Sequence, residues 1–331
     1  MKMYLANENR YDHMTYRRAG NSGLLLPPVS LGLWRGHGDQ GVLANTRDLV
    51  LHAFDEGIIH FDLANNYGPS RGSAETNFGA ILKSDLMPYR DELIISSKAG
   101  YYMHPGPYGE FSSKKYLYAS LDASLKRMGL DYVDIFYSHR PDPNTPFEET
   151  AETLDLLVRQ GKALYIGISN YFTEDTKKMI ALFEKKGTPF VIHQMSYNML
   201  NREVEEDGLF DLLEEHQLGA IAYGPLAEGL LSDKFSQKIP DDFPIHRTNA
   251  YILQGDSQAK TQKRLHDLYD LAQQRGQTLS QMALAWLLRK ETMTSVVVGT
   301  TTIPHFDDNL AALKNTTFSD EELTQIEKIL H

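Results

Sequence analysis

The sequence predicts an α/β fold: a (β/α)8 TIM barrel with an N-terminal β-hairpin and extra helices, in one domain over residues 1–331. Two observations predict it. Eight short apolar, β-leaning runs recur along the chain, and amphipathic stretches with helix-cap signals separate them. The first seven runs start 28–40 residues apart. That spacing holds one strand and the crossover helix that a parallel neighbour needs. Eight such units typically take roughly 250 residues, so the chain has a surplus to place.

The elements follow in order. Thr15–Leu26 reads as a hairpin with its turn at Asn21–Gly23. The runs begin at Val29 (VSLGLW), Ile59 (IHFDLA), Leu93 (LIISSK), Val133 (VDIFYSH), Ala163 (ALYIGIS), Val191 (VIHQ), Gly219 (GAIAY) and Val296 (VVVG). Thr46–Glu56 reads as a helix capped by Asn45 and stopped at Gly57. Lys114–Met128 follows Ser113 and stops at Gly129; Thr150–Gln160 stops at Gly161; Thr173–Lys186 stops at Gly187. The 77-residue gap before the last run holds a polar loop, Ser232–Gln258, and two helices, Lys260–Gln274 and Ser280–Lys290. A last helix covers Asp320–Leu330.

Composition excludes several chemistries. With 33 Lys and Arg against 44 Asp and Glu, the net charge is −11, which argues against a nucleic-acid partner. There are no cysteines, so thiolate nucleophiles, Cys-ligated zinc, iron–sulfur clusters and disulfides are out. The 12 histidines are scattered without a ligand spacing such as H-E-x-x-H, so no metal is expected. Met1–Arg18 has no apolar core of signal-peptide length, and no apolar stretch approaches a membrane span. The expectation is a cytoplasmic protein with no membrane partner.

In a barrel of this kind the site lies at the C-terminal ends of the strands. Run two ends in Asp62-Leu63-Ala64-Asn65-Asn66-Tyr67-Gly68, run three in Lys98 and run four in His139. Carbonyl reduction explains that set. Hydride addition leaves charge on oxygen, which needs a proton from a general acid. A tyrosine's ordinary pKa near 10 is high for that task, and a neighbouring ammonium lowers it. Lys98 is placed to do this for Tyr67, Asp62 to hold Lys98, and His139 to orient the carbonyl. A second reading of Lys98 is Schiff-base chemistry of the aldolase type.

DLANNYG, SSKAG and YSHR resemble the signature segments of the aldo-keto reductase superfamily, and the likeness runs from RRAGNSGLLLPPVSLGLW to VVVGTTTIPHFDDNLAAL. FDLANNYGP, GPYG, SLKRMGLDYVDIFYSHR, GKALYIGISNY and GPLAEGLLSDK look most like the branch of bacterial glyceraldehyde-3-phosphate reductases and potassium-channel β subunits. The resemblance implies a catalytic tetrad of Asp62, Tyr67, Lys98 and His139. It implies a nicotinamide cofactor along Trp34, Asp62, Ser169, Asn170, Gln194, Tyr223, Gly224, Pro225, Leu226, Gly229, Leu231, Lys234, Gly299, Thr300, Thr301, Asp308 and Asn309. It also implies a small carbonyl substrate at Trp34, Tyr67 and His139, and a homo-oligomer, tetramer or octamer in related proteins. Channel subunits of that branch carry Asn where His139 stands and turn over slowly, which sets the regulatory-subunit reading behind the reductase.

Two departures bear on cofactor choice. Relatives often carry Arg where Thr302 stands and another near Pro244, to pair with the 2′-phosphate of NADP. Lys234, Arg247 or His305 are the candidates to replace them. NADP(H) is expected, with NAD(H) the alternative. Arg140, beside His139, and Arg35 are each read either as a substrate-phosphate ligand or as a surface ion pair. The Tyr101–Phe111 loop is read either as an aromatic wall with Trp34 or as a surface loop. The ending at His331, without a long C-terminal loop, leads to an expectation of an open pocket. Gly36-His37-Gly38-Asp39-Gln40-Gly41 matches G-x-G-x-x-G, but the cap signal at Asn45 sets the helix apart from the glycines, so it reads as a loop over the mouth.

Overall fold

The computed structural model describes residues 4–240, 243 and 256–331. Pro244 and Arg247 lie outside the described residues. β1 (Arg17–Arg18) pairs antiparallel with β2 (Leu25–Leu26), the expected hairpin. The barrel strands are β3 (Val29–Gly32), β4 (His60–Asp62), β5 (Ile94–Ala99), β6 (Val133–Ser138), β7 (Ala163–Ser169), β8 (Phe190–Ser196), β9 (Gly219–Tyr223) and β10 (Met293–Gly299). All pair in parallel, and β10 closes the ring by pairing with both β9 and β3.

The helices follow in chain order, and side chains cap three of them. α1 covers Leu43–Asp55, α2 Ser73–Ile81, α3 Lys114–Met128, α4 Phe147–Arg159 and α5 Thr173–Lys186. α6 (Glu203–Glu206), α7 (Leu209–Glu215), α8 (Asp256–Gln274), α9 (Leu279–Leu288), α10 (Ile303–Leu310) and α11 (Asp320–Leu330) follow. Ser113 caps α3 by accepting from the Tyr116 N–H, and reciprocal capping boxes open α9 (Thr278 with Gln281) and α11 (Ser319 with Glu322). Gly129 and Gly187 end α3 and α5 in left-handed conformation. The expected cap at Asn45 is corrected: α1 opens at Leu43 after an extended Val42. Asn45 lies inside the first turn, its N–H bonded to the Val42 carbonyl. The three glycines of residues 36–41 nevertheless serve the loop's own packing. A Cβ on Gly41 would meet the Gly36 carbonyl oxygen at 1.9 Å, and one on Gly38 would meet the Ser73 hydroxyl at 2.3 Å. The segment read as a loop to Gln258 gives way to α8 already at Asp256.

The barrel interior has two halves. Ile135, Tyr137, Ile192, Ile221 and Val297 form an apolar cluster on the β6–β10 side. Ala19, Leu24 and Leu26 of the hairpin belong to the same cluster, so the hairpin plugs the lower end. The β3–β5 side is polar: Ser30, His60, Asp62, Ser96 and Lys98 are all at 0–1% exposure. The larger core lies between the barrel and its helices. Among the described residues no helix is long and apolar enough to cross a membrane.

Burial lowers the pKa of His37, His60 and His193 to about 4. Between pH 6.5 and 4 the unfolded chain takes up protons at these rings and the folded chain does not. Their neutral burial is without penalty above pH 6.5 and costs about 1.4 kcal/mol per pH unit for each ring below it. The melting temperature should therefore fall steadily from pH 7 to pH 5 in calorimetry. A flat profile over that window would show that these rings are not held neutral.

Candidate active site

β4 and β5 are in register with Asp62 opposite Ser96, which brings their inward side chains together at the mouth. Lys98 Nζ donates to Asp62 Oδ2 at 2.6 Å, to the Leu63 carbonyl at 2.7 Å and to the Tyr67 hydroxyl oxygen at 3.3 Å. An ammonium has three hydrogens, and these acceptors use all of them. The Tyr67 oxygen accepts from Lys98, so its own hydrogen is turned away from Lys98. The other carboxylate oxygen of Asp62 accepts from Ser96 Oγ at 2.7 Å and from Gln194 Nε2 at 3.2 Å. Backbone bonds hang the turn that carries Tyr67 on its surroundings: Asn65 N–H on the Lys98 carbonyl and Gly68 N–H on the Trp34 carbonyl.

The expected balance at Tyr67 is reversed. Burial, and then the Asp62 carboxylate and Tyr223, Tyr101 and Tyr137, push its pKa well above 10. Burial also pulls Lys98 below its ordinary value, against the attraction of Asp62. Desolvation of the phenolate exceeds what one ammonium restores. Tyr67 therefore holds its proton at neutral pH, and the residue is only partly buried.

His139 is the first residue after β6. Its ring stands edge-on to Tyr101 at 4.6 Å and packs against Tyr67 at 6.0 Å. Gly100 permits the approach, since a Cβ there would meet His139 Cβ at 2.9 Å. Lys98 lies one residue inside the end of β5 and Gln194 two residues inside the end of β8, so neither is the terminal residue expected. Asn170, just past β7, sits in the left-handed region (φ 62°). Its amide donates to the His139 carbonyl at 2.9 Å and to Ser169 Oγ at 3.1 Å, and its oxygen accepts from Tyr223 OH at 2.7 Å. One side chain thus ties the ends of β6, β7 and β9. Asn198, which sequence reasoning did not single out, holds the Gly224 carbonyl at 2.9 Å.

The remaining candidates divide. Gly224, Gly299 and Thr300 rim the mouth at the ends of β9 and β10, and a Cβ on either glycine would meet nothing within 4 Å. Gly229 and Leu226 lie in the turn that follows β9, and Thr301 is exposed. Pro225, Leu231 and Asn309 are buried. Asp308 accepts from Gln281 and Thr278 of the α9 capping box. Lys234, Thr302 and His305 are exposed. Trp34 is 44% exposed and leans over Tyr67 with ring centroids 6.3 Å apart. In the Tyr101–Phe111 loop, Tyr101 faces His139, while Tyr102 and Tyr108 are exposed.

Arg140 is engaged within its own surroundings. Its guanidinium donates to the Gly100 carbonyl at 2.9 Å, pairs with Glu110 at 2.7 Å and lies between the rings of Tyr101 and Phe111. This is the ion-pair reading, and a phosphate there would have to displace Glu110. Arg35 lies over Trp34 at the mouth, 4.4 Å from the ring centroid.

Comparison with known proteins agrees with this arrangement. The model of the Aldo/keto reductase family matches residues 28–331. The chain is 54% identical over 329 residues to an L-glyceraldehyde 3-phosphate reductase of Escherichia coli O157:H7, covering 98% of this chain and 95% of that protein. It is 53% identical, with the same coverage, to the protein of that name in Escherichia coli strain K12. An Arabidopsis thaliana protein named "Probable voltage-gated potassium channel subunit beta" is 30% identical over 303 residues, 91% of each chain. A closed parallel barrel with an Asp, a Lys and a Tyr joined at its mouth, and a family match over nearly the whole length, lead to one conclusion: the chain belongs to the aldo/keto reductase family of oxidoreductases.

Proposed function

We propose that this protein reduces small aldehydes and ketones, such as glyceraldehyde 3-phosphate or methylglyoxal, to alcohols with NADPH, in the cytoplasm. The observation that carries the reading is the Tyr67 hydroxyl. It holds its proton, is backed by a fully engaged Lys98 ammonium, and belongs to a residue that is only partly buried. The residues present fit a nicotinamide cofactor. Ser169 offers a hydroxyl, and the Asn170 amide oxygen a second lone pair, beside the half-buried ring of Tyr223, and Gly224 and Gly299 leave open space where a side chain would intrude.

The bound cofactor supplies the hydride. The protein's part is positional and electrostatic. His139 and Tyr67 hold the carbonyl oxygen. As charge grows on it, Tyr67 passes its proton to that oxygen and becomes a phenolate. Lys98, 3.3 Å away, stabilises the phenolate, and Asp62 keeps Lys98 in place. Solvent then returns a proton to Tyr67. Schiff-base chemistry at Lys98 is disfavoured: its nitrogen is fully buried and all three hydrogens are engaged.

Four variants test the reading. Tyr67→Phe should lower kcat by about 10²–10⁴ while NADPH still quenches protein fluorescence. Full activity in that variant would refute the role of Tyr67. Thr302→Arg places a guanidinium at the first turn of α10 and should improve kcat/KM for NADPH over NADH by about tenfold. No change in the ratio would move the 2′-phosphate elsewhere. Arg35→Ala should raise KM for glyceraldehyde 3-phosphate by about tenfold and leave methylglyoxal within twofold, because the lost group is charge-assisted. Arg140→Ala should weaken turnover of both substrates alike, through the loop that packs Tyr101 on His139. A KM rise confined to the phosphorylated aldehyde in Arg140→Ala would reverse that assignment.

A further inference from the structure

A column of polar side chains runs inside the barrel beneath Asp62. Ser295 Oγ on β10 lies 2.6 Å from Ser30 Oγ on β3. Ser30 Oγ lies 2.8 Å from His60 Nδ1, and His60 Nε2 lies 3.1 Å from Ser96 Oγ on β5. Ser96 Oγ donates to Asp62 Oδ1 at 2.7 Å. Every member is at 0–1% exposure. The column crosses four strands and ends on the carboxylate that holds Lys98.

Its direction follows from donor and acceptor counting. Asp62, paired with an ammonium, only accepts, so the Ser96 hydroxyl hydrogen is spent on it. Ser96 must then accept from His60, and the imidazole carries its hydrogen on Nε2. Burial keeps His60 neutral, with a pKa lowered to about 4, so Nδ1 is a bare acceptor. Ser30 donates to Nδ1 and accepts from Ser295. Each group gives one hydrogen upward and takes one from below, so the dipoles align and reinforce one another toward Asp62. The opposite tautomer would set two acceptors, Ser96 and Asp62, against each other at 2.7 Å.

We propose that His60 and Ser96 are positioning residues for the reaction: the column fixes the Asp62 carboxylate in orientation and charge, and so keeps Lys98 a cation aligned on the Tyr67 oxygen. This rests on the reading of Tyr67 as the proton donor. Without the column Asp62 loses a donor in a site that water cannot supply, its proton affinity rises, and the proton held between the two shifts from Lys98 toward Asp62 and leaves the pair only at a higher pH. The titratable groups that face this pair are Tyr67 and Tyr101 from the loops, His139 after β6, Tyr137 on β6 and Tyr223 on β9. Glu75 of α2 acts from behind β5, where it is bonded to Ser97 and Arg127. None of them donates to Asp62 in place of Ser96.

The test is the pH dependence of NADPH-driven glyceraldehyde 3-phosphate reduction by the full-length enzyme. Ser96→Ala and His60→Leu should lower kcat about tenfold and move the alkaline limb of kcat up by about one pH unit. KM for the aldehyde and Kd for NADPH should stay within twofold. His60→Gln, whose amide supplies both an acceptor for Ser30 and a donor for Ser96, should recover most of the loss. A wild-type kcat and alkaline limb in Ser96→Ala overturns the proposal, as does a loss in kcat with the limb unmoved. If His60→Leu does not fold, Ser96→Ala decides alone. Tyr67→Phe, measured alongside, separates the two readings: activity there refutes the donor, whereas an inactive Tyr67→Phe with an unaffected Ser96→Ala refutes only the column.

Discussion

A lysine and an aspartate sealed together in the mouth of the barrel govern the rest of this structure. Lys98 and Asp62 are at 0% and 1% exposure and 2.6 Å apart. Buried charges are tolerated only when every donor and acceptor is met, and removing one partner of such a pair costs about 3–5 kcal/mol. Here the Leu63 carbonyl, Tyr67, Ser96 and Gln194 meet the remaining valences. They come from the turn after β4, from β5 and from β8. Those elements are held in position by the same pair that does the chemistry.

The barrel supplies that rigidity unevenly. Its interior is apolar toward β6–β10 and is sealed below by the hairpin leucines, while the β3–β5 side carries the hydrogen-bonded column. A half-polar interior is less favourable than a uniformly apolar one unless it is fully satisfied. The satisfied half lies under the reacting groups. The other half packs Tyr137 against Gly167, where a Cβ would meet the ring at 2.2 Å. The loops at the mouth then carry selectivity: Trp34 and Arg35 on one side, and Tyr101, Glu110 and Phe111 around Arg140 on the other.

Local signals were the legible ones. Gly129, Gly187 and Ser113 mark helix ends because capping acts within a turn of chain. Asn45 misled because the loop before it delivers an extended Val42, and loop geometry overrode the cap preference. α2, α7 and α10 were not anticipated, since each is short and takes its stability from packing on neighbours. Inward positions two apart, His60 with Asp62 and Ser96 with Lys98, are visible as a strand period. That signal places all four on the inward face but does not say which of them touch.

By itself the sequence determined the order of strands and helices, the four polar residues at the strand ends and the absence of thiol chemistry. These depend on side-chain periodicity and on residue identity, which are properties of the chain alone. Tertiary structure decided the rest. It made Tyr67 a proton holder rather than an acid loosened by its lysine, because desolvation depends on everything packed around the ring. It committed Arg140 to Glu110 and two aromatic rings, and it linked Ser295, Ser30, His60, Ser96 and Asp62 across four strands. Those contacts exist only once the sheet has closed and its register is set. Nothing in the spacing of residues along the chain specifies that register.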